Sequence, residues 1–361
     1  MIFQPPPQPD LDIPALERSL ELSGLTNSYK LYWFAGLIEE IKHQRTEIKF
    51  RTMVIWMITK CWHTVLRFKL NLGAQDKLNE VICFLNEKYE IKTDITESDL
   101  NTFLDELDDP EFENYIKGYI RYVPYRLLNS FYDFKDGAGY NKDSAIAEKS
   151  SKDEKVLYRI NSIDLTITVN YSWFEYIYCN MPIIVGWYRY KLVEYLQRKN
   201  PNVPSVIDKI ELPQERILTE ARKFWKFVIN TVEINDIYTN LPINTSDLSI
   251  DHFIPWSFVL HDKQWNLTPV SKHINSSKSD RLPPLEKYLD KFINQQFKAY
   301  TIALMQGPKS KVMQDYLTLG QGMDLSTGLR ETEFKEIMRN TIIPLHRIAQ
   351  NQGFGVWRNN N

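Results

Sequence analysis

The sequence has few cysteines, no excess of either charge and no long apolar run that is free of charge. Its 361 residues include three cysteines, at positions 61, 83 and 179, and no CxxC pair. This odd number of distant cysteines encodes neither a disulfide framework nor a zinc knuckle, and it predicts a protein of the reducing cytoplasm. The 44 Lys and Arg against 46 Asp and Glu leave a net charge of −2, so no global basic field indicates a nucleic-acid partner.

A membrane partner is not expected either. The most apolar stretch, residues 53–72, contains Lys60, His63, Arg67 and Lys69. A bilayer-spanning helix would bury each Lys or Arg at a cost of about 3 kcal/mol, so the stretch predicts a core helix. The first residues, MIFQPPPQPD, lack the basic region and apolar stretch of a signal peptide. We therefore expect a cytoplasmic protein with an ordinary globular composition.

Apolar residues recur at helical spacing along most of the chain, which predicts an α-rich (α+β) fold. The predicted helices cover residues 14–24, a segment from Asn27, and residues 50–70, 75–88, 181–199, 214–232, 285–305, 309–319 and 331–351. The alternating segment VLYRINSIDLTITVN predicts a hairpin that turns at Asn161 and Ser162. The small and polar residues 133–153 predict an exposed loop or linker.

An acidic segment lies between Asp94 and Glu113, where nine carboxylates occur without any Lys or Arg. A short helix is expected to open at Thr96, with Asp99 near its first turn. Such a charge run is most simply a solvated face. The alternative is a surface that keeps DNA away or docks a basic partner.

The segment from Ile237 to Pro284 has the most informative pattern in the chain. Its residues predict a strand at 249–254, a loop, a second strand at 266–270 and a polar helix at 272–281. This order places Asp251 and His252 at the end of one strand and Asn275 on the helix. Oxygen ligands on a rigid frame suit a hard ion such as Mg²⁺, which keeps positions open for water and a substrate phosphate.

Asp251 and His252 are neighbours on a strand, so their side chains point to opposite faces unless the strand ends or bends there. We therefore expect a division of labour in which one residue holds metal and His252 takes a proton from water. Asn275 and Lys278 are three residues apart on one helix face, which places an ammonium beside the metal for a phosphate oxygen.

Three further residues complete the candidate site. Arg281 is expected to extend the helix face of Lys278 toward phosphate. Asn266, at the start of the second strand, is expected to form a hydrogen bond across the loop and fix the orientation of His252. His273 is a rival to Asn275 as the metal ligand, because both lie near the start of the helix.

At these residues the sequence resembles the HNH, or ββα-metal, nuclease family. Asp251-His252-x-x-Pro255-x-Ser257 is similar to the D-H-x-x-P-x-S segment of the family, and Asn266 to its middle Asn. Asn275-x-x-Lys278 resembles the variant of RNA-guided CRISPR nucleases and many bacterial restriction enzymes. The resemblance covers about 50 of the 361 residues.

The resemblance implies Asp251 and Asn275 as ligands of Mg²⁺, for which Mn²⁺ is expected to substitute. It further implies His252 as the general base, Asn266 in a structural role at the catalytic centre, and Lys278 on phosphate. Residues 238–240, Tyr-Thr-Asn, stand where the family often has paired cysteines, so no structural zinc is expected.

The expected organisation has three parts: a mainly helical region at 1–235 for recognition, oligomerisation or regulation, the ββα module at 236–284, and a helical extension at 285–361. The expected function is hydrolysis of DNA phosphodiesters in bacterial or phage defence, by a homo-oligomer or with a partner protein. From residue 241 onward the charge balance is +3, which supports phosphate binding without separating DNA from RNA. The alternatives are an RNase with the same site and a subunit whose nuclease acts only inside a complex.

Overall fold

Helices dominate the chain, which confirms the predicted α-rich α+β fold. The computed structural model describes residues 4–132, 142–211, 218–307, 309–320 and 327–358. The chain divides into two compact units: the first unit comprises residues 1–201 and 209–212, and the second unit comprises residues 202–208 and 213–361. None of the helices in the described ranges is long and apolar enough to cross a bilayer.

The first unit combines a helical core with a small sheet. Its elements are α1 (Ile13–Ser19), α2 (Tyr29–Lys42), β1 (Glu47–Lys49), α3 (Phe50–Leu66), α4 (Leu78–Tyr89), α5 (Glu97–Glu106), α6 (Pro110–Ile120), α7 (Val123–Arg126), α8 (Lys142–Lys152), β2 (Tyr158–Asn161), β3 (Thr166–Val169), α9 (Tyr171–Cys179) and α10 (Met181–Lys199). The prediction for residues 181–199 is confirmed at both ends.

Helices α2 and α3 form the centre of the first unit because both are apolar on most of their faces. Trp33 and Phe34 of α2 and Trp62 of α3 are fully buried. Gly36 allows the close approach of the two helices, since a Cβ at this position would lie 2.9 Å from the Cβ of Trp56. The apolar stretch at residues 53–72 is therefore core, as predicted.

The predicted hairpin is confirmed as β2 and β3, but the chain turns at residues 162–165, after Asn161. With β1 the two strands form an antiparallel sheet in the order β1-β3-β2. Ile160 pairs with Ile167, and Ile167 pairs with Ile48 of β1, so three buried isoleucines share one face. The predicted loop at 133–153 is wrong in its second half, because residues 142–152 form α8. Ile146 and Ser150, one helical turn apart, are both buried there. Residues 133–141 lie outside the described residues.

Many carboxylates of the acidic segment have partners within the first unit. Arg51 contacts Asp105 and Glu113, and the Lys60 ammonium lies 2.6 Å from a carboxylate oxygen of Glu97. Asp109 accepts hydrogen bonds from the backbone at the start of α6. The segment therefore binds elements of its own unit, and only part of its charge faces solvent.

The second unit carries the predicted strand, strand, helix segment. Its elements are α11 (Thr219–Thr231), β4 (Leu248–His252), α12 (Trp256–Val259), β5 (Leu267–Ser271), α13 (Lys272–Lys278), α14 (Leu285–Met305), α15 (Lys311–Leu317) and α16 (Glu331–Asn351). The predicted bounds of α14 and α16 are confirmed.

Helix α14 packs against the β4–β5 pair. The ring of Phe253, just after β4, stacks on Phe292 with a centroid distance of 4.1 Å. The Gln296 amide donates a hydrogen bond of 2.5 Å to the Leu267 carbonyl, which satisfies a strand carbonyl at the sheet edge. This helix therefore supports the strands that carry the candidate site.

The segment after α16 returns to the same region. Val356 forms a parallel bridge with Leu282, and the Trp357 amide donates to the Leu282 carbonyl at 2.7 Å. The buried Trp357 ring meets Tyr238 edge to face at 5.1 Å. The C-terminal residues thus form a wall of the candidate site from the opposite end of the unit.

Candidate active site

Strands β4 and β5 pair antiparallel and lead directly into α13, so the three elements form a ββα arrangement. His252 pairs with Leu267 and Asp251 with Thr268. Strand β4 ends at His252, two residues earlier than predicted. Beyond this end, the side chain of Asn266 takes over the hydrogen bonds to the backbone. The Asn266 carboxamide accepts from the Ile254 amide and donates to the Ile254 carbonyl, both at 2.9 Å.

Asn266 is fully buried, and both polar atoms of its side chain bind backbone. The residue therefore fixes the chain that follows His252, which is the loop contact the sequence predicts. Nothing in this placement brings its amide to a substrate, so we describe Asn266 as a positioning residue.

Asp251 is buried, and both of its carboxylate oxygens are hydrogen-bonded. Oδ1 accepts from the Lys278 ammonium at 3.0 Å, and Oδ2 accepts from the Tyr238 hydroxyl at 2.9 Å. Burial and the neighbouring Asp251 charge raise the pKa of Tyr238 well above its ordinary value, so the phenol keeps the proton that it donates. The carboxylate is thus held in one orientation by a lysine and a tyrosine.

Lys278 is placed differently from its predicted contact with phosphate. Its side chain is 0% exposed, and its ammonium also donates to the His252 carbonyl at 2.7 Å. An ammonium with two buried acceptors balances the charge of Asp251 and has no exposed surface of its own. This placement follows from the direction of the helix face, which points toward β4.

His252 points to the other side of β4, as the alternation of the strand predicts. Its Nε2 lies 2.7 Å from Oδ1 of Asp262. A carboxylate only accepts hydrogen bonds, so Nε2 donates to Asp262 and the imidazole ring is held in one orientation.

A second histidine, His261, lies beside this pair. Its burial, together with the nearby His252 and Lys263, lowers the pKa of His261 to about 4. The ring meets Trp265 at a centroid distance of 5.0 Å. His261 is therefore neutral at pH 7 and adds no positive charge near His252.

The other predicted residues lie on or just after α13. The Asn275 amide nitrogen donates to the Ser249 hydroxyl at 2.8 Å, on the strand face that Asp251 shares. His273 is exposed, two positions from Asn275 and hence on a different side of the helix. Arg281 is exposed and lies beyond the helix, because α13 ends at Lys278 and not at the predicted position 281.

Sequence reasoning missed three residues that shape this site: Tyr238, Asp262 and Asp236. Asp236 accepts hydrogen bonds from the backbone amides of Tyr238, Thr239 and Ser271, and its burial raises its pKa. It thereby fixes the turn that presents Tyr238 to Asp251. The dipeptide His261-Asp262, in the loop after the motif, is a weak sequence signal for a further site residue. Only the structure shows that the Asp262 carboxylate contacts His252.

Asp251 and Asn275 supply the oxygen atoms that a hard divalent cation prefers. Both Asp251 oxygens already accept hydrogen bonds, from Lys278 and Tyr238, and the Asn275 amide nitrogen donates to Ser249, which leaves its oxygen as the atom suited to a metal. Within the described ranges no three or more His, Cys, Asp and Glu side chains gather as a metal cluster. An ion at this site would thus take few protein ligands, as Mg²⁺ commonly does with water and phosphate.

Comparison with known proteins agrees with this geometry. The family model of the HNH endonuclease matches residues 236–284, which span the Asp236 turn, the β4–β5 pair and α13. Searches of curated proteins and of solved structures find no match. HNH nucleases generally use a divalent metal ion and act on nucleic acid. Residues 236–284 therefore match the HNH endonuclease family, and this domain supports a nuclease function.

Proposed function

We propose that the protein is a Mg²⁺-dependent endonuclease that hydrolyses DNA phosphodiester bonds. The observation that carries this proposal is the contact between His252 and Asp262 on the ββα frame. His252 directly follows the buried Asp251 in the chain. The Asp262 carboxylate holds the imidazole ring of His252 in one orientation, which suits a general base.

In the proposed reaction His252 takes a proton from water, and the resulting hydroxide attacks phosphorus. Asp262 acts as a positioning residue, because its carboxylate holds the ring by Nε2 and stabilises the imidazolium that forms. The bond from phosphorus to the leaving 3′ oxygen breaks, and that oxygen takes up a proton from solvent. Loss of such a base costs about 10² to 10⁴ in rate.

Asp251 and Asn275 are the residues that would hold the metal ion. When bound, a divalent cation supplies charge stabilisation for the phosphate and the leaving oxygen. Lys278 supports this role from inside, since its ammonium orients the Asp251 carboxylate and offsets its charge. We propose Arg281, which is exposed, as the remaining phosphate contact.

The biological setting is proposed from the resemblance of the D-H, N and N-x-x-K pattern to bacterial restriction and CRISPR nucleases. We propose a cytoplasmic enzyme of bacterial or phage defence, with DNA as the preferred substrate. One site cuts one strand, so a double-strand break requires a homo-oligomer or two successive nicks. Residues 1–235 are proposed to serve recognition, oligomerisation or control.

The direct test incubates the full-length protein with supercoiled plasmid, linear duplex DNA and RNA, each with Mg²⁺, Mn²⁺ or chelator. We expect plasmid nicking or linearisation with either ion and none with chelator. Cleavage of RNA alone would replace DNA by RNA as the substrate. No cleavage of any substrate with either ion would contradict the proposal for the isolated chain and favour a nuclease that acts only inside a complex.

A further inference from the structure

Asp262 orients the proposed general base, yet it does not lie on a helix or a strand. It belongs to the loop of residues 260–263, between α12 and the turn at Gln264–Asn266. Its side chain is 33% exposed and contacts Nε2 of His252 at 2.7 Å. A partly exposed carboxylate on a loop keeps one position only where the backbone of the loop is itself held.

The first half of this loop is held from α12. The Leu260 amide donates to the Trp256 carbonyl at 2.7 Å, and Leu260 has a φ of 54°, in the left-handed region. A leucine is uncommon there because its Cβ approaches the backbone, so the turn persists only if the surrounding structure holds it. The residues after Asp262 show what holds the other half.

The second half of the loop is held from α15 by one carboxylate. Oδ1 of Asp315 accepts from the Lys263 ammonium at 2.9 Å, and Oδ2 accepts from the Gln264 backbone amide at 3.1 Å. The Asp315 side chain is 18% exposed. Both of its oxygens therefore bind the two residues that directly follow Asp262.

The end of α15 repeats this connection one residue further along the loop. The Trp265 indole donates to the Thr318 hydroxyl at 3.0 Å, and that hydroxyl donates to the Asp315 carbonyl at 2.6 Å. The turn of α15 that carries Asp315 is thus joined to the loop by a side chain on each side.

We propose that Asp315 is a positioning residue of the nuclease reaction, which holds the loop so that the Asp262 carboxylate meets the imidazole of His252. A displacement of about 1 Å can cost about a hundredfold in rate, so an anchor of this loop affects the chemistry without touching the substrate. Asp315 lies outside residues 236–284, which match the HNH family. This inference rests on the proposed function and extends its machinery from the ββα frame to α15.

A double-mutant cycle of plasmid cleavage by the full-length protein tests this inference. We expect Asp315→Ala to lower kcat by about tenfold with little change in KM, because the contact of Asp262 is weakened and not removed. In an Asp262→Ala background the same substitution should change kcat by less than about twofold, since nothing is left for Asp315 to position. An equal loss of kcat in both backgrounds would overturn the inference and give Asp315 a structural role.

Asp290→Ala is the matched control. Asp290 forms an ion pair with Arg339 at 2.7 Å in the same unit, and its side chain is 75% exposed. This variant should keep the wild-type kcat in both backgrounds. All rates are compared well below the lowest melting temperature of the set, so that unfolding does not lower kcat. Asp315→Leu, which keeps the branched shape without an acceptor, replaces Asp315→Ala if the latter does not fold.

A second arm reads the contact without cleavage. In protein labelled with ¹⁵N-histidine and kept in chelator, the Nε2 proton of His252 gives an NMR signal when Asp262 protects it from exchange with water. His252→Ala assigns the signal. We expect it in the wild type and in Asp290→Ala, and we expect its loss in Asp262→Ala and its weakening or loss in Asp315→Ala.

The two arms separate failure of this inference from failure of the proposed function. A signal of full intensity in Asp315→Ala would overturn the inference even if the wild type cuts DNA. Absence of the signal in the wild type would overturn it as well, because Asp262 would then not hold His252. If the wild type cuts no substrate, the proposed function fails, and the NMR signal still decides whether Asp315 positions Asp262.

Discussion

The two units of the chain bury charged side chains in different ways. In the first unit they are dispersed: Glu40 accepts from the Trp56 indole at 2.6 Å, Asp76 from the backbone and hydroxyl of Ser28, and Asp109 from the start of α6. Each of these carboxylates stabilises one local contact, such as the start of a helix or the contact between two helices. Where a cation joins them, as Arg45 joins Glu40 and Lys88 joins Asp109, it is a half-exposed or exposed side chain at the surface.

In the second unit the buried polar groups are concentrated on one ββα frame. Asp251, Lys278 and His252 are linked by two contacts of 3.0 Å or less, and Tyr238 and Asp262 hold them from either side. Burying charge costs free energy, and packing alone does not call for so many charged groups in one place. A cluster of buried charged groups therefore indicates the site of chemistry, whereas a single buried charge does not.

The largest expected effect on stability comes from removal of one partner of the buried Asp251–Lys278 pair. Asp251→Ala leaves an ammonium that is 0% exposed without its counter-charge, so we expect stability to fall by about 3 to 5 kcal/mol. Urea unfolding measures the loss. A double variant, Asp251→Leu with Lys278→Met, should recover most of it because no buried charge remains.

The matched control in the first unit is Glu148→Ala. Glu148 and Lys152 form an ion pair at 3.4 Å in which both side chains are 76% exposed. Such pairs contribute about 0 to 1 kcal/mol, so this variant should unfold almost like the wild type. Equal losses in Asp251→Ala and Glu148→Ala would remove the distinction between the two units.

A second prediction concerns pH. Burial lowers the pKa of His261 to about 4 from an ordinary value of 6.5. The unfolded chain therefore binds more protons than the folded one between these values, and stability falls as the pH drops from 6.5 to 4. His261→Phe, which keeps a ring beside Trp265, should reduce this loss by at most about 3 kcal/mol. An identical pH dependence of unfolding in wild type and variant would contradict the prediction.

Asp262 provides a third, smaller effect. Asp262→Ala leaves His252 in place but without the acceptor at Nε2, so we expect kcat to fall by about ten- to a hundredfold. Because Asp262 acts through His252, KM should change much less than kcat. Asp262→Glu should restore part of the rate, whereas a variant that acts only through misfolding would lower kcat and the melting temperature together.

The smallest effect separates the two candidate helix ligands. Asn275→Ala should shift the Mg²⁺ titration of cleavage to higher concentration, with partial rescue by excess Mn²⁺. His273→Ala should leave the titration unchanged, because His273 is exposed on another side of α13. The opposite result would make His273 the ligand.

Much of this organisation could be predicted from the sequence. Helical periodicity predicts α10, α14 and α16 with the observed ends, because these helices carry continuous apolar faces. The order of Asp251, His252, Asn266 and Asn275 predicts the ββα arrangement, since the residues occupy fixed places on short neighbouring elements.

The rest depends on contacts between distant parts of the chain. Lys278 shares a helix face with Asn275, but whether that face points to solvent or to β4 is decided by packing. Trp357 reaches Tyr238 from the far end of the second unit, and no local pattern encodes that contact. The partners of the charged groups therefore emerge only when the elements are assembled.

The most direct test of the account compares plasmid cleavage by wild type, His252→Ala and His273→Ala at saturating Mg²⁺. The two substitutions remove the same side chain from the same domain, one at the proposed base and one on the exposed face of α13. We predict that His273→Ala cuts at the wild-type rate and that His252→Ala is slower by about 10² to 10⁴, with DNA binding retained. Cleavage by His252→Ala at the wild-type rate would contradict the central claim that this histidine activates water.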